Sequence, residues 1–169
     1  MKGDALALAG RLGQELGELA RVVERVQLLA DKAARTGDDA YWDGVALNLH
    51  AFYTGLEHVF ESIARSLDEA VPQGRDWHRD LLLQMGGELP GVRPAVLGRD
   101  TRLGLEPYRG FRHVVRDAYA FALRPEQLRP LVDGLPTGFA AVRHDLDCFL
   151  SFLVASQGKW RAAGAPVPE

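Results

Sequence analysis

The chain has 169 residues, of which 47% are hydrophobic and 25% charged, and its formal net charge is −3 at pH 7. A chain of this length can bury roughly two-thirds of its unfolded surface as one domain, and its composition excludes general disorder and fibrous repeats. The acidic balance excludes a protein that is basic over its whole surface, although it allows a local basic stripe. We expect one domain over residues 1–162 and a flexible tail over residues 163–169.

The spacing of charged residues and the single cysteine indicate where in the cell the protein is located. The longest stretch without Asp, Glu, Lys or Arg covers residues 44–56, which is shorter than the roughly 18 residues that a membrane helix needs. Asp4 and Arg11 bracket an apolar run that is too short for the core of a signal peptide. Cys148 is the single cysteine, so the chain cannot form an intramolecular disulfide or a multi-cysteine zinc site. We therefore expect a cytoplasmic protein that does not associate with membranes.

Two long amphipathic helices are predicted first, over residues 4–35 and from about residue 39 to residue 70. Apolar residues recur every three or four positions in both, which is the period of one helical face. The stripe of the first helix is Leu12, Leu16, Leu19, Val23, Val26 and Ala30. That of the second is Tyr41, Val45, Leu49, Phe52, Leu56, Val59, Ile63 and Leu67. Gly37 can end the first helix and the Asp38-Asp39 pair can cap the second, which predicts an antiparallel hairpin.

The next segment predicts a short helix followed by a loop. Asp76 is placed to cap a helix over residues 77–85, which the Gly86-Gly87 pair would end. Residues 86–104 hold two prolines and five glycines, so we expect a loop with at most one helical turn.

Three prolines then mark predicted helix starts. Pro107 would be the first residue of a helix that runs to about residue 123, and Pro125 would begin a short helix that Gly134 ends. Pro136 would open the last long helix, which ends near residue 158. No strand-like alternation occurs between hairpin turns. The prediction is an all-α, up-and-down antiparallel bundle with two long N-terminal helices and additional short helices.

The helix after Pro107 carries an unusual concentration of positive charge. A helical projection places an apolar face on one side, formed by Phe111, Val114, Val115, Ala118, Phe121 and Ala122. The opposite side collects Arg109, Arg112, His113 and Arg116. Arginine side chains bind phosphate oxygens bidentately and stay charged, so this face suits a phosphate. The alternative is a solvated face whose arginines pair with acids on neighbouring helices.

The sequence RHVVRDAY at residues 112–119 resembles the R-x4-6-H-x-Y motif of the HEPN superfamily, and specifically that of the HepT-like ribonuclease toxins. The segments FYTGLE at 52–57, DWHRDLL at 76–82 and YRGFRH at 108–113 support the likeness. It covers most of the chain.

This resemblance implies a helical homodimer in which the motif helices of two protomers meet at a cleft. It implies metal-independent RNA cleavage without a cofactor, and a cognate antitoxin of the minimal nucleotidyltransferase type. Such an antitoxin attaches AMP to the motif tyrosine, which is Tyr119 here. The motif arginine is Arg112, and the histidine position is held by Asp117.

The aspartate departs from the family pattern. Asp117 could accept a proton from a ribose 2′-OH but would be a poor acid for the leaving oxygen, and it would repel the phosphate. His113 is the candidate substitute, because Asp117 follows it by four residues and could form a hydrogen-bonded pair with it. Arg112 and Asp117 diverge by about 140° around a helix, so two protomers are needed to complete one site.

Two further function classes stay open. One is a catalytically silent dimer that binds RNA, phosphate or nucleotide and partners the nucleotidyltransferase. The other is a remote possibility, a four-helix metalloenzyme with ligands on the polar face of the second helix. That face, which would otherwise be solvated or form hydrogen bonds between helices, comprises Thr54, Glu57, His58, Glu61 and Arg65.

Three other features receive structural interpretations. His144, Asp147 and Cys148 have ligand-like spacing on the last helix, but no second cluster completes a metal site. His78, near a helix start, is interpreted as a capping or surface residue. The glycines at 10, 13 and 17 form a stripe that indicates either close backbone approach or a frayed first turn.

Overall fold

The computed structural model describes the backbone of residues 2–117 and 123–163, and the side chains of residues 5–115 and 123–156. This part of the chain forms five α-helices, which confirms the all-α prediction. They are α1 (Lys2–Thr36), α2 (Ala40–Ile63), α3 (Trp77–Met85), α4 (Arg99–Asp117) and α5 (Pro125–Ala163). A single π-helical turn, Ala64–Asp68, extends α2. Extended pairing in the described residues is limited to one isolated bridge between Leu89 and Arg93.

The tight connection between α1 and α2 forms as predicted. Gly37 has a φ of 68° and its N–H donates to the carbonyl of Ala33 at 2.9 Å, which closes α1. Glycine adopts this left-handed conformation without steric cost. Asp38, rather than Asp39, supplies the side-chain cap, because its Oδ1 accepts from the N–H of Ala40 at 2.9 Å.

The core lies between this hairpin and the later helices. Nearly all the predicted stripe residues of α1 and α2 are buried, and Ala30, Tyr41 and Leu67 pack partly buried against them. Gly55 allows the two helices to approach closely, since a Cβ there would lie 2.8 Å from a methyl carbon of Leu19. Phe52 makes edge-to-face contacts with Tyr108 of α4 and Phe139 of α5, so one α2 side chain ties three helices together.

Helix α4 begins earlier than the sequence predicted. Its first residue is Arg99, so Pro107 lies inside the helix and residues 99–104 are helical rather than part of a loop. Asp145 of α5 accepts a hydrogen bond from the backbone N–H of Gly98 at 2.8 Å. A carboxylate at a helix N-terminus satisfies an otherwise unpaired N–H and interacts favourably with the helix dipole. This capping group is distant in sequence, so local composition did not reveal it.

Helix α5 is continuous where two helices were predicted. Pro130 and Pro136 both lie inside it, and Gly134 does not end it. A proline leaves the carbonyl four residues earlier without its helical N–H partner. For Pro136 that carbonyl belongs to Val132, and the side-chain amide of Gln27 in α1 donates to it at 2.9 Å. A contact between helices thus replaces the hydrogen bond that Pro136 removes.

A buried ion pair fixes the loop between α3 and α4. Arg93 donates through Nε and Nη2 to the two carboxylate oxygens of Asp68, at 2.6 and 2.7 Å. Its Nη1 also donates to the carbonyls of Gly87 and Pro94. Both charged side chains are almost completely buried. The pair therefore fastens this loop to the end of α2.

Within the described residues, no helix combines the length and the apolar character needed to cross a membrane. Ala163 belongs to α5, and residues 164–169 of the predicted tail lie outside the described part.

Candidate functional site

Helix α4 turns Arg112 toward the body of the protein rather than away from it. The buried face of α4 includes Leu105 and Tyr108 as well as Phe111. At about 100° per residue, the face formed by these three residues is centred roughly 70° closer to Arg112 than the apolar face predicted from sequence. Val114, predicted to be buried, is 49% exposed. The predicted faces were wrong in this respect because α4 begins at Arg99, two turns before Pro107, and the buried residues of those turns shift the apolar face.

Arg112 meets two buried side chains from other helices. Its Nε lies 2.9 Å from Oε2 of Glu57 in α2, an ion pair whose geometry falls short of a directed hydrogen bond. Its Nη1 lies 2.9 Å from Nε2 of His78 in α3. The other ring nitrogen of His78, Nδ1, lies 2.7 Å from Oε1 of Glu57. We call Glu57, His78 and Arg112 the arginine triad.

The triad combines deep burial with partial access. The side chains of Glu57 and His78 are 2% and 7% exposed, whereas that of Arg112 is 17% exposed. The guanidinium is therefore held from the inside while part of the side chain reaches the surface. This arrangement can present a fixed positive charge to an anion, because the carboxylate and the imidazole hold it in one orientation.

Burial and charge alter the acid–base properties of α2 side chains near the triad. Burial raises the pKa of Glu57 to about 7, while the Arg112 charge acts in the opposite direction. The pKa of His50 is lowered by burial and by the charge of Arg112. The pKa of Tyr53 is raised, mainly by burial and secondly by the charge of Glu57. A site that shifts several groups in this way is a candidate for function.

Polar atoms on α2 also lie buried beside the triad. Among the described residues, the hydroxyl groups of Tyr53 and Thr54 have no hydrogen-bond partner. Tyr53 precedes Glu57 by four residues and therefore lies on the same side of α2. Buried groups of this kind commonly bind an ordered water.

The other basic residues of α4 occupy different environments. Arg109 is half-buried, and its Nε donates to Oε2 of Glu106 at 2.7 Å, one turn earlier in the same helix. His113 is exposed, and its ring centre lies 5.9 Å from that of His78, with the two rings nearly perpendicular. Thus His113 marks the solvent side of the triad. Pairing with an acid on a neighbouring helix, part of the alternative interpretation of this face, applies to Arg112, whereas Arg109 pairs within α4.

The remaining predicted site residues lie at the edge of the described part. Arg116 and Asp117 end α4, but their side chains are outside the described residues. Tyr119 lies outside them altogether. The predicted pairing of His113 with Asp117 therefore stays a prediction.

One member of the triad was misassigned from sequence. His78 is predicted to be a capping or surface residue, but it is buried and bonded to Glu57. The face of α2 that holds Glu57 and His58 is predicted to be solvated or to form hydrogen bonds between helices; Glu57 does the second, while His58 is exposed. The useful signal was a positional one: Tyr53 and Phe60, four residues before and three residues after Glu57, are aromatic and lie on the same side of α2 as Glu57.

The remaining candidate features are the possible metal ligands and the glycine stripe of α1. Among the described residues, no group of three or more His, Cys, Asp or Glu side chains is arranged to hold a metal ion. His144 and Cys148 are exposed, with 3.9 Å between Nε2 and Sγ. The glycines at 10, 13 and 17 face open space, since an added Cβ would have no neighbour within 4 Å.

A family model described as HepT-like protein matches residues 44–153. The chain belongs to the HepT-like family. The matched region covers most of α2, all of α3 and α4 and most of α5, so it contains all three members of the arginine triad. It also contains Asp117, which the sequence resemblance places at the motif histidine position. No match was found among curated proteins or among solved structures.

Proposed function

We propose that this HepT-like protein is the toxin of a toxin–antitoxin pair and acts on RNA as a metal-independent endoribonuclease. The observation that carries the proposal is the arginine triad. It holds Arg112, the motif arginine, against two buried groups while the side chain keeps access to solvent. A guanidinium fixed in this way can bind a phosphodiester and stabilise the negative charge that develops as the 2′-OH attacks.

Neighbouring positive groups would extend this phosphate site. Arg109 and Arg116 lie three residues before and four residues after Arg112 on the same helix, which are the spacings at which side chains become neighbours. Binding through such contacts weakens steeply as salt rises, because counterions are released from the RNA.

The groups available for proton transfer are less well suited to RNA cleavage than the arginines are. Cleavage by a 2′-OH needs one proton to be taken from the nucleophile and one to be given to the leaving oxygen. His113 is the candidate substitute, but Asp117, at the position of the motif histidine, suits only the first role. We therefore expect weak cleavage. The second candidate function, favoured by Asp117, is a silent RNA-, phosphate- or nucleotide-binding dimer that partners the antitoxin.

A second copy of the chain is the proposed partner on the outer face of α4. Leu103, Pro107, Gly110 and Val114 follow each other at intervals of four, three and four residues, so they form one strip. All four are exposed, and Leu103 and Val114 are 47% and 49% exposed. Packing of two such strips would bring two motif helices together, which the 140° divergence of Arg112 and Asp117 requires.

The proposed antitoxin is a minimal nucleotidyltransferase, and Tyr119 is the proposed acceptor of AMP. The test is co-expression with such an enzyme encoded beside this gene. Mass spectrometry should then find the mass of AMP on Tyr119, and the modified protein should lose RNA cleavage. A Tyr119→Phe variant is the matched control and should remain unmodified.

Cleavage itself is tested with purified protein and a mixture of structured RNAs, with and without EDTA. We expect slow cleavage that EDTA does not change. Arg112→Lys should abolish it, since lysine cannot reproduce the bidentate geometry. The control is Arg143→Lys, because Arg143 is exposed and lies on α5. Tight RNA binding without cleavage would favour the silent dimer.

The dimer is tested by light scattering at micromolar concentration. Val114→Asp should shift the protein toward the monomer, because it places a charge in the apolar strip. Val154→Asp is the matched control, since Val154 is similarly exposed on α5. A wild-type monomer across the accessible concentration range would overturn the dimer proposal.

A further inference from the structure

His78 contacts both other members of the arginine triad and packs against the ring of Trp77. Its two ring nitrogens contact Glu57 and Arg112 at 2.7 and 2.9 Å. The ring of Trp77 lies against it, with 3.6 Å between ring centres. The imidazole is buried, so its orientation is determined by these neighbours rather than by water.

We propose that His78 is a positioning residue for Arg112, and that it acts as a neutral imidazole with its proton on Nδ1. It fixes the guanidinium of Arg112 so that the N–H groups that contact neither Glu57 nor His78 face an RNA phosphate. The phosphate part of this inference rests on the proposed function, whereas the tautomer does not.

The tautomer follows from the chemistry of the partners. A guanidinium has N–H donors and no acceptor, so Nη1 of Arg112 must donate and Nε2 of His78 must accept. In a neutral imidazole the other nitrogen then carries the proton. Nδ1 therefore donates to Oε1 of Glu57. A proton on Nε2 would instead place two N–H groups against each other across 2.9 Å.

The arrangement gives each group of the triad a complementary partner. Glu57 receives the N–H of His78 on one oxygen and the charge of Arg112 near the other. Arg112 is held at Nε and at Nη1, which restricts both the position and the rotation of the guanidinium plane. Because the guanidinium has five N–H donors, these two contacts leave donors for an anion. Side chains locked by such contacts are the ones that stabilise a transition state without reorganisation.

A pair of substitutions separates positioning from packing. The amide oxygen of His78→Gln can reach the position of Nε2 and accept from Arg112. The shorter His78→Asn can reach only the position of Nδ1, so it keeps the contact with Glu57 and loses the one with Arg112. Both variants remove the ring, so loss of aromatic packing is common to them. Thermal unfolding measured by circular dichroism checks that each one folds.

The direct test is ¹⁵N NMR of the imidazole in the wild-type protein at neutral pH, which reports the tautomer without any activity. We expect His78 as a neutral Nδ1–H tautomer and a slowly exchanging Nε–H signal for Arg112. That arginine signal should persist in His78→Gln and broaden in His78→Asn. An imidazolium or an Nε2–H tautomer for His78 would overturn the proposal whether or not the protein cleaves RNA.

The kinetic test uses the Asp117→His background, in which cleavage is expected to be measurable. His78→Asn should lower kcat by about tenfold to a hundredfold with little change in KM, the effect of a misplaced catalytic group. His78→Gln should restore most of the loss. Equal kcat values for the two folded variants would contradict a positioning role. If no background cleaves RNA, the proposed function fails while the NMR test still decides the role of His78.

Discussion

The carboxylate of Glu57 and the guanidinium of Arg112 approach to 2.9 Å, and this contact joins the C-terminal third of α2 to the C-terminal half of α4. Glu57 is almost inaccessible to solvent, so its charge depends on Arg112 for compensation, and His78 adds a hydrogen bond. A buried charge that loses its partner destabilises a protein more strongly than the intact pair stabilises it.

This dependence predicts a coupled effect on stability at pH 8, where Glu57 is ionised. Arg112→Met should lower the free energy of unfolding by about 3 kcal/mol, because it leaves the charge of Glu57 in the interior. In a Glu57→Gln background the same substitution should cost at least about 1 kcal/mol less. Urea unfolding of the four proteins measures the difference. Equal costs in both backgrounds would show that the two side chains do not interact energetically.

The raised pKa of Glu57 predicts how stability depends on pH. The ordinary value is 4.5 and the value in the folded protein is about 7, so the folded state binds more protons between these limits. Stability therefore falls as pH rises from 4.5 to 7 and is level above that range.

The comparison that isolates this effect is wild type against Glu57→Gln, which lacks the titrating group. The free energy of unfolding of the wild type, relative to the variant, should fall by up to about 3 kcal/mol across the interval. Denaturant unfolding at several pH values measures it. A difference that rises with pH would mean that the charge of Arg112 outweighs burial.

The pair between Arg93 and Asp68 predicts a second stability effect away from the site. Arg93→Met should cost about 3 to 5 kcal/mol, because it leaves Asp68 buried without its cation. Arg79→Met is the matched control, since Arg79 pairs with Asp80 on the exposed surface, and should cost less than about 1 kcal/mol. Similar costs for the two variants, measured by thermal unfolding, would contradict a structural role for the buried pair.

The helices that could be predicted from the sequence are those whose boundaries depend on local residues. The apolar stripes and Gly37 define α1 and the start of α2, and the limits of α3 agree with the structure. The start of α4 could not be predicted because Asp145 of α5 caps it. The continuity of α5 could not be predicted because Gln27 of α1 replaces the hydrogen bond that Pro136 removes. Both contacts join residues that are far apart in the chain.

The sequence singles out Arg112 as a candidate site residue but does not reveal its surroundings. The motif and the local charge both pointed to α4. His78 and Glu57 lie on other helices, and only the packing of α2, α3 and α4 brings their side chains within 3 Å of Arg112 or of each other. A single sequence gives periodicity along one helix, and it carries no direct information on which polar residues of different helices meet.

Position 117 gives the sharpest test of catalysis. The proposed reaction needs a group that both accepts and donates a proton at neutral pH, and histidine does this whereas an ionised aspartate only accepts. The protein should cleave RNA weakly or not at all, and Asp117→His should raise the rate by about two orders of magnitude or more, the usual range for general acid–base catalysis. Rates are measured under single-turnover conditions on one RNA, with His113→Ala as the companion variant. Strong cleavage by the unmodified protein that persists in Asp117→Ala but disappears in His113→Ala would assign the proton transfers to His113, which lies at the solvent side of the triad, 5.9 Å from the ring of His78.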